Sequence, residues 1–172
     1  MKIEVKNIKV NLAFSEATTQ FKADIFIDGK KIAYAENHGR GGSTFYGRYN
    51  LDDLPILKAA EDFCKSLPAV SYNLGGENFE MPQSLENFID KKIDDFVNNK
   101  EREKFNKKLS KDMARGIVYG DEKAYNLITW GKWALSDLLH DARGRDLIKA
   151  ELIRLKQSGK AVLNTNLPGN LL

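Results

Sequence analysis

The loop from Ala35 to Tyr49 has an unusual composition for its length. Its sequence, AENHGRGGSTFYGRY, holds four glycines, two arginines, one histidine and three aromatic residues. Glycines allow positive φ angles and close backbone approach, so successive amide groups can form a nest for an anion. The loop therefore predicts a phosphate or nucleotide site at residues 39–44, whose candidate ligand-binding residues are His38, Arg40, Gly41, Gly42, Ser43, Thr44, Tyr46 and Arg48.

The same loop departs from the known phosphate-binding loops. No lysine follows its glycines as in a Walker A loop, and the spacing of Gly39, Gly41 and Gly42 does not follow GxGxxG. The loop follows a predicted strand and opens no helix, so it lacks the contribution of a helix dipole. A second interpretation is therefore open, in which the glycines form a structural turn and the aromatic residues pack on the next helix.

Two stretches have the residue types of a nucleic-acid surface. In the first, Phe45, Tyr46 and Tyr49 alternate with arginines, and such aromatic residues can stack bases. In the second, residues 100–115 hold seven Lys and Arg against three acids. On a helix these cations can follow a phosphate backbone, although a solvated helix face has the same composition. The candidate residues in this stretch are Lys104, Lys107, Lys108 and Lys111.

Little in the chain predicts catalysis or metal binding. His38 has Glu36 and Ser43 nearby, but no nucleophile-elbow pattern surrounds the serine. His140 has aspartates on both sides, which is typical of a surface helix. Cys64 is the single cysteine, so an internal disulfide or a cysteine-based zinc site is excluded. We expect no catalytic residue, no metal site and no cofactor, and hence a binding protein.

The residues that must position the loop read as antiparallel strands. Hydrophobic residues alternate with polar ones over 3–12, with a change of phase near Lys6-Asn7 that indicates a bulge. Asp28-Gly29 lies between two alternating runs and predicts a two-residue hairpin turn. Residues 1–50 are therefore expected to form a three-stranded meander that runs into the glycine loop, with a short fourth strand in 43–49.

The remainder is mainly helical in pattern. Residues 51–115 predict helices: one capped by Asp52 or Asp53 with Pro55 in its first turn, then a loop containing Gly75-Gly76, then a helix capped by Ser84. The helix after Ser84 either continues through the charged stretch or breaks at Asn98-Asn99. The expected apolar positions are Ile56, Ala60, Phe63 and Leu67 in the first helix and Leu85, Phe88, Ile89, Ile93, Phe96 and Val97 in the second.

The last third has shorter patterns. Residues 116–130 fit a hairpin, although a helix also suits Ala124, Leu127 and Ile128. Residues 131–159 predict one or two helices that end at Gly159, and residues 160–166 a last strand. The expected fold is therefore a single α+β domain over residues 1–172, with an N-terminal antiparallel meander packed against several amphipathic helices.

Charge and hydropathy exclude some protein classes. The net charge is +3, and it is distributed as +3, −5 and +5 over residues 1–50, 51–100 and 101–172. No apolar run approaches the roughly 18 residues that a membrane span needs, and the first residues lack the apolar core of a signal peptide. We therefore expect a cytoplasmic protein without a membrane partner.

Two stretches resemble other proteins: IDGKKIAYAENHGRGGSTFY and GKAVLNTNLP. They are similar to small, functionally uncharacterised accessory proteins of bacteriophages and bacterial mobile elements. The resemblance implies a non-enzymatic anti-defence protein that inhibits or modulates a bacterial protein or ribonucleoprotein, such as a CRISPR effector. The residues themselves leave two alternatives open, a module for a phosphate or nucleotide signal and a nucleic-acid-binding accessory protein.

Overall fold

A computed structural model describes residues 1–121, 123–169 and 171 of the chain, and only the backbone of Tyr72 and Leu74. The chain divides into two units, Met1–Lys100 and Glu101–Leu172. The α+β class expected from the sequence is confirmed, because the described residues include a four-stranded antiparallel sheet, two hairpins and four α-helices. The expectation of one domain over the whole chain stays a prediction.

The first unit begins with the predicted antiparallel meander. Its strands are β1 (Ile3–Val10), β2 (Phe21–Ile27) and β3 (Lys30–Asn37), and the short β4 (Phe45–Arg48) adds a fourth in the order β1-β2-β3-β4. Asp28 and Gly29 join β2 to β3 with φ angles of 48° and 85°. Two positive φ angles in succession are those of a type I′ turn, so the predicted hairpin is confirmed.

The bulge predicted in the first strand is present. Lys6 pairs with Asp24 and Lys9 with Lys22, so two residues of β1 lie opposite one residue of β2. Asn7 in the bulge has a φ of 53°. The extra residue restores the phase of the strand, because Ile3 and Val5 before it and Ile8 and Val10 after it all pack into the core.

Helix α1 (Leu54–Lys65) covers part of the inner face of the sheet. Leu57, Ala60 and Cys64 are its buried residues, so the buried stripe is rotated from the predicted one, and Ile56 and Phe63 lie beside it. Asp53 lies at the predicted N-cap position, but its side chain does not cap the helix. The buried carboxylate instead accepts hydrogen bonds from Lys30 Nζ at 2.8 Å and Asn50 Nδ2 at 3.1 Å. These bonds lower its pKa.

The segment predicted as a loop around Gly75-Gly76 is a hairpin. Strands β5 (Val70–Leu74) and β6 (Glu77–Met81) pair with each other in a separate two-stranded sheet. The two glycines have φ angles of 64° and 95°, which again suit a type I′ turn. The sequence carries the signal, because hydrophobic residues alternate with polar ones on both sides of the two glycines, and the prediction of a loop overlooked it.

Helix α2 (Leu85–Arg115) runs for 31 residues without a break at Asn98-Asn99. Ser84 is its N-cap as predicted, because its Oγ accepts the amide of Asn87 at 3.0 Å. Leu85, Ile89 and Ile93 are fully buried in the core of the first unit, with Phe88 and Val97 packed against it. The predicted packing face of this helix segment is thereby confirmed at its centre.

The second unit contains the hairpin expected at 116–130. Strand β7 (Gly116–Gly120) pairs with β8 (Tyr125–Thr129), and Glu122, which follows Asp121 in the sequence, lies outside the described residues. Two helices follow, α3 (Leu135–His140) and α4 (Ala142–Gln157). Their apolar residues form a second core with the hairpin, and its fully buried members are Ile117, Leu135 and Ile148.

The strand expected at 160–166 is reduced to one bridge between Val162 and Tyr119. The reason is that the side chain of Asn164 takes the place of further backbone pairing. Its Oδ1 accepts the amide of Val118 at 2.6 Å, and its Nδ2 donates to the carbonyl of Gly116 at 3.0 Å. The tail is therefore attached to β7 by the two backbone hydrogen bonds of the bridge and by one buried amide side chain.

No helix among the described residues is long and apolar enough to cross a membrane.

Candidate functional site

The glycine loop is held by hydrogen bonds within the first unit. Asn37, which is buried, accepts the amide of Gly39 at 2.8 Å and donates to the carbonyl of Gly42 at 2.9 Å. The amide of Gly41 donates to Thr18 Oγ1 at 3.2 Å, and the carbonyl of Gly39 accepts the amide of Glu16 at 2.8 Å. Several of the groups that an anion nest would offer therefore already have partners.

The glycines of the loop differ in what they do. Gly39 has a φ of 83°, and a Cβ there would lie 2.4 Å from the carbonyl oxygen of Phe14. Gly41 has a φ of 87° and would approach Ala17 at 3.2 Å, whereas Gly42 has open space around it. Gly39 and Gly41 are thus required by the backbone conformation of the loop, as its structural interpretation expects. Gly42 has neither a positive φ nor a close neighbour.

Acidic residues of α2 line the other side of the loop. The amide of Thr44 donates to Glu86 Oε1 at 2.9 Å, and its hydroxyl donates to Asp90 Oδ1 at 2.5 Å. Burial raises the pKa of Asp90 against the lowering effect of the Thr44 hydrogen bond, and the charges of Glu86 and Asp94 raise it further. A cleft of about 470 Å³ between loop and helix is lined by Glu16, Asp90 and Asp94, among others. The negative electrostatic potential of these acids disfavours the binding of a phosphate.

The outer face of the β1–β4 sheet carries a cluster of aromatic residues. The ring of Tyr34 lies 5.9 Å from that of Phe45 and 5.6 Å from that of Tyr49, centroid to centroid. Phe45 is 56% exposed and Tyr49 is 44% exposed. Gly47 lies opposite Tyr34, and a Cβ there would come within 3.2 Å of the Tyr34 ring. The glycine therefore lets the tyrosine lie against β4.

Asp24 fixes one side of this cluster. Its carboxylate accepts the hydroxyl of Tyr49 at 2.5 Å, Nδ2 of Asn7 at 2.6 Å and Nζ of Lys31 at 2.9 Å. Burial works against the charged form, but these three hydrogen bonds outweigh it and lower the pKa of Asp24 to about 2. The Lys31 ammonium also lies 4.5 Å from the Tyr49 ring centroid. Asp24 is thus a positioning residue for Tyr49 and Lys31.

Lysines occupy the β1–β2 side of the same face. Lys6, Lys9 and Lys22 lie on the surface opposite the buried residues of these strands. Lys6 lies 4.9 Å from the ring centroid of Phe26, and Lys22 pairs with Glu36 at 3.1 Å. A groove of about 750 Å³ lies between the tyrosines of the cluster and Lys9 and Lys22. The carboxylates of Asp24 and Glu36 also line it, and each is paired with a lysine of the face. The face therefore combines exposed aromatic rings with ammonium groups.

The predicted site residues are distributed over different surfaces. His38 and Arg40 are exposed, and His38 lines a small cleft of about 240 Å³ together with Lys9 and Lys22. Ser43 and Thr44 face the acidic cleft instead. Arg48 is exposed at the end of β4.

Tyr46 points to the helical side of the sheet and is not part of the outer face. Its hydroxyl donates to Glu61 Oε1 at 3.0 Å, and its ring packs against the first core. Burial and the Glu61 hydrogen bond raise its pKa to about 12. Strand alternation explains the difference, because Phe45, Gly47 and Tyr49 share the outward direction and Tyr46 opposes them.

The cations of the 100–115 stretch lie along α2. Lys104, Lys107, Lys108 and Lys111 are all exposed. Their spacing of three and four residues places them along one side of the helix. Phe105 turns elsewhere, toward Tyr125, with ring centroids 5.4 Å apart.

Sequence reasoning missed Tyr34, Asp24 and the sheet lysines as candidate residues. The available signal was alternation: Tyr34 stands between the inward-facing Ala33 and Ala35, and a large aromatic residue at an outward position has no packing reason to be there.

Comparison with known proteins gives no relative: no family model, no curated protein and no solved structure matches this chain.

Proposed function

We propose that this protein is a non-enzymatic binding protein that holds single-stranded nucleic acid on the outer face of its β1–β4 sheet. The observation that carries the proposal is the cluster of Tyr34, Phe45 and Tyr49 beside surface lysines. Exposed rings offer stacking surfaces to unpaired bases, and ammonium groups attract the phosphate backbone. The two features occur together on one face.

The glycine loop is a weaker candidate, as a site for a phosphate or nucleotide. A phosphate there would meet Glu86, Asp90 and Asp94, and the amides of Gly39, Gly41 and Thr44 already donate within the protein. The loop instead anchors the start of β4, and so the position of Phe45. Its contribution to binding is therefore structural in this proposal.

The decisive experiment compares two exposed phenylalanines of the first unit. Phe45→Ala removes a ring from the aromatic cluster, whereas Phe79→Ala removes a ring of similar exposure from the β5–β6 hairpin. Fluorescence anisotropy with labelled single-stranded DNA and RNA measures binding. We expect Phe45→Ala to cost about 1–3 kcal/mol, or roughly five- to 150-fold in affinity, and Phe79→Ala to leave affinity unchanged.

Two results would contradict the proposal. One is wild-type protein that binds neither single-stranded DNA nor RNA. The other is an equal effect of Phe45→Ala and Phe79→Ala, which would indicate nonspecific hydrophobic adhesion. Thermal melts of both variants confirm that the fold is retained.

On the resemblance to accessory proteins of mobile elements, we further propose that the nucleic acid belongs to a bacterial defence ribonucleoprotein. Affinity capture from bacterial lysate, with and without nuclease treatment, tests this extension. Recovery of a ribonucleoprotein that depends on intact nucleic acid and on Phe45 supports it. Recovery that is indifferent to both argues for a protein partner.

A further inference from the structure

The outer face of the β1–β4 sheet is chemically polarised across its strands. Strand pairing sets Lys9, Lys22, Glu36 and Phe45 in one row, from β1 through to β4. The next row contains Lys6, Asp24, Tyr34 and Gly47. Lysines therefore occupy the β1 end of both rows, and aromatic residues lie on β3 and β4.

Lys9 and Lys22 break a rule of strand pairing. They lie directly opposite each other, and like charges at such positions are destabilising. Glu36 is within 3.1 Å of Lys22, but no ion pair among the described residues involves Lys9. The bulge at Lys6–Lys9 is what turns Lys9 outward, because Lys6 and Lys9 would otherwise point to opposite faces. A bound anion would relieve the repulsion between the two ammonium groups.

We infer that a single strand of nucleic acid runs along the sheet with its phosphates over the β1–β2 side and its bases over the β3–β4 side. Lys9 and Lys22 contact the phosphates, and Tyr34, Phe45 and Tyr49 contact the bases. The groove of about 750 Å³ between these two sets is the passage for the sugars. The inference rests on the proposed function and adds to it the direction in which the ligand is oriented.

The test separates contacts to phosphates from contacts to bases. Two probes are used, an oligothymidylate of about 15 nucleotides and an abasic sugar-phosphate chain of the same length. The lysine variant is Lys9→Gln with Lys22→Gln, the aromatic variant is Phe45→Ala, and the control is Lys58→Gln with Lys91→Gln, which removes two exposed lysines from α1 and α2. Affinity is measured between about 50 and 200 mM salt.

We expect the lysine variant to make the plot of log affinity against log salt shallower by about 1.4, since each single-strand phosphate contact contributes about 0.7. Its deficit relative to wild type then shrinks about sevenfold over that range of salt. This variant lowers the affinity for both probes. Phe45→Ala lowers the affinity for the oligothymidylate only and leaves the salt slope unchanged. The control pair changes neither the affinity nor the salt slope.

An unchanged slope in the Lys9/Lys22 variant, or an effect no larger than that of the control pair, overturns the inference while the proposed function stands. A salt slope that falls instead with Lys104→Gln and Lys111→Gln would place the phosphates on α2 and also overturns it. Wild-type protein that binds neither probe is a separate result, because it removes the proposed function itself.

Discussion

Individual residues of the glycine loop have separable structural roles. Gly39 is buried, has a positive φ and leaves no space for a Cβ, whereas Gly42 is exposed with open space around it. The two positions lie three residues apart in the same loop. They provide a matched pair for asking which glycines the fold requires.

We expect Gly39→Ala to destabilise the protein by more than about 1–2 kcal/mol, because the left-handed conformation and the contact with the Phe14 carbonyl both oppose a methyl group. Gly42→Ala is expected to change stability by less than about 1 kcal/mol. Chemical unfolding followed by circular dichroism measures both. Equal losses in the two variants would show that the backbone of the loop adjusts.

At the scale of elements, side-chain hydrogen bonds between distant parts of the chain hold short segments in place. The tail after α4 forms one bridge to β7, and the side chain of Asn164 adds hydrogen bonds to two further residues of that strand. Asn166 is exposed, donates to the carbonyl of Met113 at 3.0 Å and accepts Nδ2 of Asn164 at 2.9 Å. The two asparagines are two residues apart but differ in burial.

Asn164→Ala is expected to destabilise the second unit by at least about 2 kcal/mol, because the amide of Val118 and the carbonyl of Gly116 lose their partner away from water. In Asn166→Ala, water replaces the lost donor to Met113 and the lost acceptor for Asn164, whose Nδ2 keeps its bond to Gly116, so the expected effect is about 0.5 kcal/mol. Urea unfolding followed by the fluorescence of Trp130 and Trp133 reports on this unit. A similar effect of both substitutions would mean that burial of Asn164 is unimportant.

The elements that could be predicted from sequence are those with a local signal. Alternation with Asp28-Gly29 predicts the meander, and Ser84 followed by a helical stripe predicts the start of α2. The β5–β6 hairpin also has such a signal, because Val70, Tyr72 and Leu74 alternate with polar residues before Gly75-Gly76, and the prediction of a loop there was wrong. The hydrogen-bond partners of the glycine loop could not be predicted, because Thr18 and Glu86 are distant in sequence from the groups they bind. The aromatic face required knowing which strands are neighbours.

At the scale of the molecule, the two sides of the first unit differ in how their acids are paired: those of the outer sheet face lie beside lysines, and those of the α2 cleft lie beside other acids. Lysines lie on the outer face of the sheet, and carboxylates of α2 line the cleft beside the glycine loop. Two of its acids therefore have opposite environments. Hydrogen bonds favour the charged form of Asp24, whereas burial and neighbouring acids disfavour that of Asp90. Their contributions to the stability of the whole protein should depend on pH with opposite sign.

The pKa of Asp24 is lowered from 3.8 to about 2, so the stability it adds is complete above pH 3.8 and is lost as pH falls toward 2. We expect Asp24→Asn to be less stable than wild type at pH 5, and the difference to shrink below pH 3.8.

Asp90→Asn keeps an acceptor for Thr44 and removes a disfavoured charge. Its advantage should be present at neutral pH and disappear on acidification. Urea unfolding over this pH range measures both differences, and parallel pH curves for wild type and Asp24→Asn would refute the first.

The contact between Gly47 and Tyr34 also constrains how this surface can evolve. A methyl group at position 47 would lie 3.2 Å from two ring carbons and the hydroxyl oxygen of Tyr34, so a larger residue there displaces the ring from its place between Phe45 and Tyr49. The two positions are therefore expected to change together among descendants of this sequence. A lineage that abandons the aromatic surface is free to replace both, and one that uses it inherits the glycine with the tyrosine.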